Sequence, residues 1–94
     1  MLRLLITYDI RDDKRRNRIS SILEGYGKRV NESVFECELK KIQKKDILIK
    51  QLTAKLNLKT DSLRIYNICD NCLNKSQELC KNPQPFEREG VYFF

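Results

Sequence analysis

The sequence LRLLITYDIRDDKRRNR at residues 2–18 contains the clearest indication of the fold of this chain. Residues 2–9 alternate between two sides of an extended backbone, and the side that carries Leu5 and Thr7 ends on Asp9. Because both sides are largely apolar, we predict a strand in the interior of a sheet rather than at its edge. The opposite side of this strand is hydrophobic throughout, with Leu2, Leu4, Ile6 and Tyr8.

A helix is predicted soon after this strand. Asp12 and Asp13 suit its N-cap and first turn, where carboxylates accept hydrogen bonds from free backbone N–H groups and oppose the positive end of the helix dipole. Gly27 is expected to end the helix in the left-handed conformation. The apolar stripe at helical spacing consists of Ile19, Ile22, Leu23 and Tyr26.

The rest of the chain continues to alternate between strand and helix patterns. Residues 29–39 predict a half-buried strand, and the pattern leaves open whether Asn31-Glu32 breaks it into a tight hairpin. Residues 63–68 predict another strand, residues 70–90 are polar and irregular, and residues 91–94 predict a short terminal strand. Between them, residues 40–57 predict a second helix with Leu48, Ile49, Leu52 and Leu56 on one face.

This order predicts an α+β fold, a ferredoxin-like βαββαβ sandwich with two helices on one face of an antiparallel sheet. We assign the core to residues 1–70 and an irregular tail to residues 71–94. The tail ends in four apolar residues, Val91-Tyr92-Phe93-Phe94, which water would solvate poorly. We therefore expect an extra C-terminal strand that pairs with a sheet edge of a homodimer.

Composition limits the classes of function. The chain has 94 residues, enough for one domain, and 19 Lys and Arg against 13 Asp and Glu give it a net charge of +6. A basic domain of this size favours nucleic acid as a partner over a membrane surface. No apolar run is long enough to span a membrane and no signal peptide is recognisable, so we expect a cytoplasmic protein with reduced cysteines.

The absence of histidine shapes the chemistry that can be expected. Hydrolysis would have to use a carboxylate and a metal-activated water, or a tyrosine, cysteine or lysine. Asp9 is the best candidate as metal ligand and catalytic residue, because it lies at the end of a strand and a carboxylate suits magnesium, with manganese as the alternative. The basic side chains that follow could hold nucleic-acid phosphates: Arg11, Lys14, Arg15, Arg16 and Arg18.

Plainer roles compete with this interpretation. Asp9 could simply begin a turn, and the basic residues could form a solvated helix face. A single carboxylate is also a poor metal site, so two copies of Asp9 meeting across a twofold axis would serve better. A dimer is therefore part of the hypothesis.

Four cysteines complete the candidate groups: Cys37, Cys69, Cys72 and Cys80. Cys69 and Cys72 form a CxxC pair, but Cys37 and Cys80 do not supply the second half of a zinc knuckle, so we do not expect zinc. A redox pair would need to follow a strand and open a helix. Residues 74–76 predict no helix here, and we favour structural or incidental thiols.

The first seventy residues resemble the Cas2 family, the small subunit of CRISPR adaptation. The segments that carry the resemblance are YDI (8–10), DDKRRNR (12–18), YG (26–27), RV (29–30), SVFE (33–36), EL (38–39) and DSLRIY (61–66). The resemblance implies a ferredoxin-like symmetric dimer that bridges copies of the large integrase subunit, Cas1, during spacer insertion. It also implies magnesium-dependent endonuclease activity on RNA or DNA in several members.

The resemblance further implies residue roles. The aspartate matching Asp9 would face its mate across the dimer interface and bind the metal, and Arg29 would join Arg16 and Arg18 in binding phosphate. Tyr8 and Phe35 would lie near the site. Phe35 either stacks a base or fills the core, and we favour the core because it alternates with Cys37; we also favour packing over catalysis for Tyr8.

Two other functions remain as alternatives. One is a free-standing metal-dependent nuclease that uses the same Asp9. The other is a ribonuclease toxin of the virulence-associated D type, which shares the fold and a similar aspartate.

Overall fold

A computed structural model describes residues 1–80 and 85–87 of the chain. Its strands and helices follow the order β-α-β-β-α-β, with a short third helix after the last strand. The elements are β1 (Leu2–Asp9), α1 (Asp13–Glu24), β2 (Gly27–Asn31), β3 (Val34–Leu39), α2 (Ile42–Lys55), β4 (Ser62–Ile68) and α3 (Asp70–Lys75), and a 3₁₀ turn covers Pro85–Glu87.

The strand β1 lies inside a four-stranded antiparallel sheet with the order β2-β3-β1-β4, as its apolar sequence predicted. Leu4, Ile6 and Tyr8 are buried on the face that carries the helices. The opposite face of the strand is only partly covered, and Asp9 at its end is exposed. The predicted α+β, ferredoxin-like class is therefore confirmed, with both long helices packed on one face of the sheet.

The start of α1 was predicted correctly, but its end was not. Asp12 is the N-cap, and its carboxylate accepts a hydrogen bond from the Arg15 backbone N–H at 2.9 Å. The helix ends at Glu24, and its C-cap is Gly25 in a right-handed conformation with φ −78°. The prediction that Gly27 stops the helix in the left-handed conformation is wrong, because Gly27 is already the first residue of β2.

Residues 29–39 form a hairpin, which settles the question that the sequence left open. The strands β2 and β3 are antiparallel and a two-residue turn at Glu32 and Ser33 joins them. The Asn31 side chain accepts a hydrogen bond from the Glu32 backbone N–H at 2.8 Å, which stabilises the turn without a glycine. The register shifts between Arg29 and Asn31, which is typical of a β-bulge near a hairpin end.

The second helix supplies the other half of the core. Leu48 and Leu52 are fully or almost fully buried and pack with Phe35 of the sheet in one cluster. Leu56 is partly buried against the same cluster, whereas Ile49, which was predicted on that face, remains 37% exposed. The helix also begins two residues later than predicted, at Ile42.

The segment after β4 differs from the irregular tail that was predicted. Residues 70–75 form α3, which is anchored by the buried side chain of Leu73. Six residues are too few for an apolar stripe to show, and cysteine is an unusual N-cap, so the sequence pattern missed it. The predicted terminal strand over residues 91–94 lies outside the described residues. Within residues 1–80 and 85–87, no helix is both long and apolar enough to cross a membrane.

Candidate active site and nucleic-acid interface

An open cavity of about 540 Å³ lies where β1 ends, beside the β2–β3 turn and the start of α1. The antiparallel pairing of β1 with β3 sets this position, and the Tyr8 backbone N–H donates to the Ser33 carbonyl at 3.1 Å. Polar and charged side chains dominate the wall. The lining residues are Tyr8, Asp9, Ile10, Arg11, Arg16, Asn17, Ser20, Arg29, Glu32 and Ser33.

Asp9 lines this cavity, and its place in the strand alternation puts it on the sheet face turned away from the helices. It is the last residue of β1, is exposed, and pairs with Ser62 of β4 in the strand register. Its carboxylate oxygens are ligands of the kind that magnesium prefers. Among the residues that the structure describes, no group of three or more His, Cys, Asp and Glu is arranged to hold a metal ion. Within residues 1–80 and 85–87, one chain therefore offers the right donor chemistry but too few donors.

Two arginines of the cavity wall are held in place by backbone carbonyls. Arg16 donates through Nη1 to the Ile10 carbonyl at 3.1 Å and forms an ion pair with Asp13. Arg29 donates through Nη1 to the Glu32 carbonyl at 3.0 Å. A guanidinium has five N–H donors, so both side chains keep donors for a phosphate while their orientation is fixed. Such an arrangement loses less conformational entropy when a phosphate binds.

Two aromatic residues, Tyr8 and Phe35, pack beneath the Arg29 side chain. Phe35 is fully buried, and its ring centroid lies 6.3 Å from the ring centroid of Tyr8. Phe35 therefore fills the core and has no exposed ring face on which a base could stack. The Arg29 guanidinium lies 5.2 Å from the centre of the Phe35 ring, a cation–π contact. Burial raises the pKa of Tyr8, whose hydroxyl donates to the Glu32 carbonyl at 3.3 Å. Both aromatic residues thus support the site by packing.

The remaining predicted nucleic-acid contacts separate into three groups. Arg11 lines the cavity beside Asp9 and is exposed. Lys14 and Arg18 are exposed on α1 but are not part of the cavity wall, and phosphate binding by them stays a prediction. Arg15 points elsewhere: its Nε and Nη2 donate to both oxygens of Asp61, at 2.9 and 3.0 Å.

The Arg15–Asp61 pair gives Arg15 a structural role that the sequence analysis did not anticipate. Only 2% of the Asp61 side chain is exposed, and its carboxylate also accepts from the Asn57 backbone N–H at 2.8 Å. The Arg15 guanidinium holds the pKa of Asp61 below its ordinary value of 3.8. Two oxygens bound to one fork leave Arg15 poorly placed to bind a phosphate.

Several lining residues were missed by sequence reasoning. Asn17 and Ser20 follow Arg16 by one and four positions on α1, and the latter spacing places Ser20 on the same helix face as Arg16. That spacing was a usable signal. Glu32 contributes through its carbonyl, which accepts from both Tyr8 and Arg29, and no side-chain pattern could have indicated it.

The comparison with known proteins agrees with this fold. The family model described as CRISPR associated protein Cas2 matches residues 1–76. The chain belongs to the Cas2 family. A relative from Chloroflexus aurantiacus named CRISPR-associated endoribonuclease Cas2 1 is 41% identical over 93 residues, which cover 94% of this chain and 95% of the relative.

Solved Cas2 structures have the same architecture. Streptococcus pyogenes Cas2 matches with a TM-score of 0.72 and 30% identity, covering 83% of this chain and 99% of that one. A chain of a partial Cas6-RT-Cas1–Cas2 complex matches with a TM-score of 0.77 and 29% identity, covering 99% and 98%. Membership of the Cas2 family confirms the resemblance seen in the sequence and goes against the toxin alternative.

Proposed function

We propose that this chain is a dimeric subunit of CRISPR adaptation that binds nucleic acid through its backbone phosphates and bridges copies of Cas1. The observation that carries the proposal is the cavity at the end of β1, whose wall contains Arg11, Arg16 and Arg29 together with Asp9. Support for the Cas1 partnership comes from the likeness to a chain of a Cas6-RT-Cas1–Cas2 complex. The net charge of +6 supports a polyanionic partner.

We further propose that the dimer hydrolyses phosphodiester bonds with the help of magnesium, manganese being the alternative ion. The support is that Cas2 relatives are named endoribonucleases and endonucleases. Two copies of Asp9, one from each protomer, would hold the ion, which would supply an activated water and offset the charge of the scissile phosphate. Arg16 and Arg29 would orient the phosphate beside Asp9, each already held by a backbone carbonyl.

Binding and cleavage can be separated by replacing Asp9. We expect Asp9→Asn to reduce cleavage by more than about 100-fold. Replacing a residue that only orients a metal ligand already lowers activity by roughly 10–100-fold, and Asp9 would itself be a ligand. The dimer and its affinity for duplex DNA should remain. The matched control is Asp46→Asn, an exposed carboxylate of α2 outside the cavity wall, which should cleave normally. Unchanged cleavage by Asp9→Asn would rule out this site.

The mode of binding can be tested through its salt dependence. Arg11→Gln should weaken binding to unrelated duplexes equally and reduce the slope of log K against log salt by about 1, the value for one lost phosphate contact. Lys50→Gln, an exposed cation of α2 that does not line the cavity, should leave the slope unchanged. Sequence-selective binding that is insensitive to salt would contradict binding through the backbone.

A further inference from the structure

Cys69 and Cys72 lie at the junction between β4 and α3, where the sheet ends and the tail begins. The strand β4 ends at Ile68, Cys69 is the N-cap of α3, and Cys72 lies in its first turn. Both side chains belong to exposed residues. The pair thus follows a strand and opens a helix, the position that the sequence analysis required for a redox pair and did not predict.

A hydrogen bond already joins the two cysteines. The Cys72 backbone N–H donates to the Cys69 Sγ at 3.3 Å, which brings the two residues together at the first turn of α3. Hydrogen bonding from Cys72, above all from its backbone N–H, lowers the pKa of Cys69, and hydrogen bonding with Cys69 raises the pKa of Cys72. Cys69 is therefore the better nucleophile, and Cys72 is the neighbouring thiol that keeps its proton.

The surroundings allow the pair to react without disturbing the core. Leu73 is buried and anchors α3, whereas the cysteines on either side of the helix start face solvent. The first turn is also held from outside the pair, because Asp70 forms an ion pair with Arg3 of β1 and the Ser76 hydroxyl donates to the Cys72 carbonyl at 2.7 Å. Positions three apart at a helix start are close enough for a disulfide after a small side-chain movement.

We propose that Cys69 and Cys72 form a reversible disulfide by exchange with a small-molecule disulfide. The Cys69 thiolate attacks one sulfur of the small disulfide, forms a mixed disulfide and releases one thiolate. Cys72 then gives its proton to solvent and attacks the Cys69 Sγ, which forms the Cys69–Cys72 bond and releases the second thiolate. The protein dithiol is oxidised as the small disulfide is reduced to two thiols, and excess thiol reverses both steps.

Peptide mass spectrometry of the full-length protein in glutathione buffers tests the proposal. Trypsin cleavage after Arg64 and Lys75 leaves both cysteines in one peptide and places Cys37 and Cys80 in others. We expect the 65–75 peptide to lose two hydrogen atoms under oxidised glutathione and to regain them under reduced glutathione. Cys72→Ser should lose the internal disulfide and accumulate a glutathione adduct on Cys69, the trapped intermediate.

Matched variants distinguish this pair from the other thiols. Cys69→Ser should lose both the disulfide and the adduct while keeping α3, since serine is a favoured N-cap. Cys80→Ser should leave the exchange unchanged, and Cys37 should not react because burial raises its pKa to about 11. The proposal fails if the 65–75 peptide oxidises only after denaturation, if Cys80 is the thiol that exchanges, or if purified protein carries stoichiometric zinc that Cys69→Ser releases.

Discussion

At the scale of the residue, Gly27 shows how close packing selects an amino acid. A Cβ atom at this position would lie 2.2 Å from the Glu36 carbonyl oxygen and 2.7 Å from the Cys37 Cα, both backbone atoms of β3. Glycine is required here because the neighbouring strand approaches closely, and not because the backbone turns left-handed.

Gly27→Ala should therefore destabilise the fold. We expect a loss of about 1–3 kcal/mol in the free energy of unfolding, the usual range for forced overpacking. Urea denaturation measures it. Gly25→Ala is the matched control, because its added Cβ would meet only the Ile22 carbonyl oxygen at 3.3 Å and its φ is already right-handed. Equal effects of the two substitutions would contradict the close-approach explanation.

Phe35 offers a second test at this scale. Because its side chain is fully buried in the main cluster, Phe35→Ala should cost about 3–5 kcal/mol in the free energy of unfolding. Phe35→Leu keeps most of the volume and should cost clearly less. A Phe35 variant with the free energy of unfolding of the parent chain but weaker binding of single-stranded nucleic acid would contradict the packing role. It would support stacking of Phe35 on a base.

At the scale of the element, the Arg15–Asp61 pair ties α1 to the loop that leads into β4. The pKa of Asp61 is depressed in the folded state, so its contribution to stability is present above its unfolded value near pH 4 and is lost as pH falls through the folded value. As the pH falls, the Arg15–Asp61 ion pair should therefore be lost before the core unfolds.

Asp61→Asn should lower the unfolding temperature at neutral pH, and its difference from the parent chain should shrink below about pH 4. A double-mutant cycle with Arg15→Gln checks the partner, since the second substitution should add little once Asp61 is gone. Additive effects, or a difference that does not change with pH, would mean that the pair does not stabilise the fold.

At the scale of the whole molecule, the open face of the sheet is the surface best suited to a second copy. It carries Asp9 at one end, and the strand register places several apolar side chains among charged ones on it. Burying this face in a dimer would remove apolar surface from water. It would also put the Asp9 of each protomer on the sheet face that meets the partner. The apolar members of the face are Leu5, Val34, Tyr66 and Ile68.

Tyr66→Asp should weaken the dimer by about 30-fold or more, the effect of losing an interface hot spot. Sedimentation velocity over a range of protein concentrations measures this. Ile47→Asp is the matched control, because Ile47 on α2 is 46% exposed and Tyr66 is 45% exposed. The parent chain should also show an unfolding temperature that rises with concentration. A strict monomer that still cleaves nucleic acid would disprove the paired-aspartate hypothesis.

The elements that have local or periodic causes could be predicted from the amino-acid sequence. The alternation over residues 2–9 predicted the central strand, Asp12 predicted the start of α1, and the pattern over residues 63–68 predicted β4. Asp9 was also found this way, since the end of a strand can be located from its pattern. These features depend on side chains a few positions apart, so the chain itself records them.

Which side chains meet across the fold could be seen only in three dimensions. The pairing of β1 with β3 brings Arg29 and Glu32 into the same cavity wall as Asp9. The Arg15 side chain binds Asp61 instead of joining the arginines of that wall. The role of Gly27 and the contact between Cys69 and Cys72 likewise depend on how the backbone packs and caps. Such contacts join atoms that are distant in the chain or belong to the backbone, and their energies depend on three-dimensional proximity that composition and periodicity do not encode.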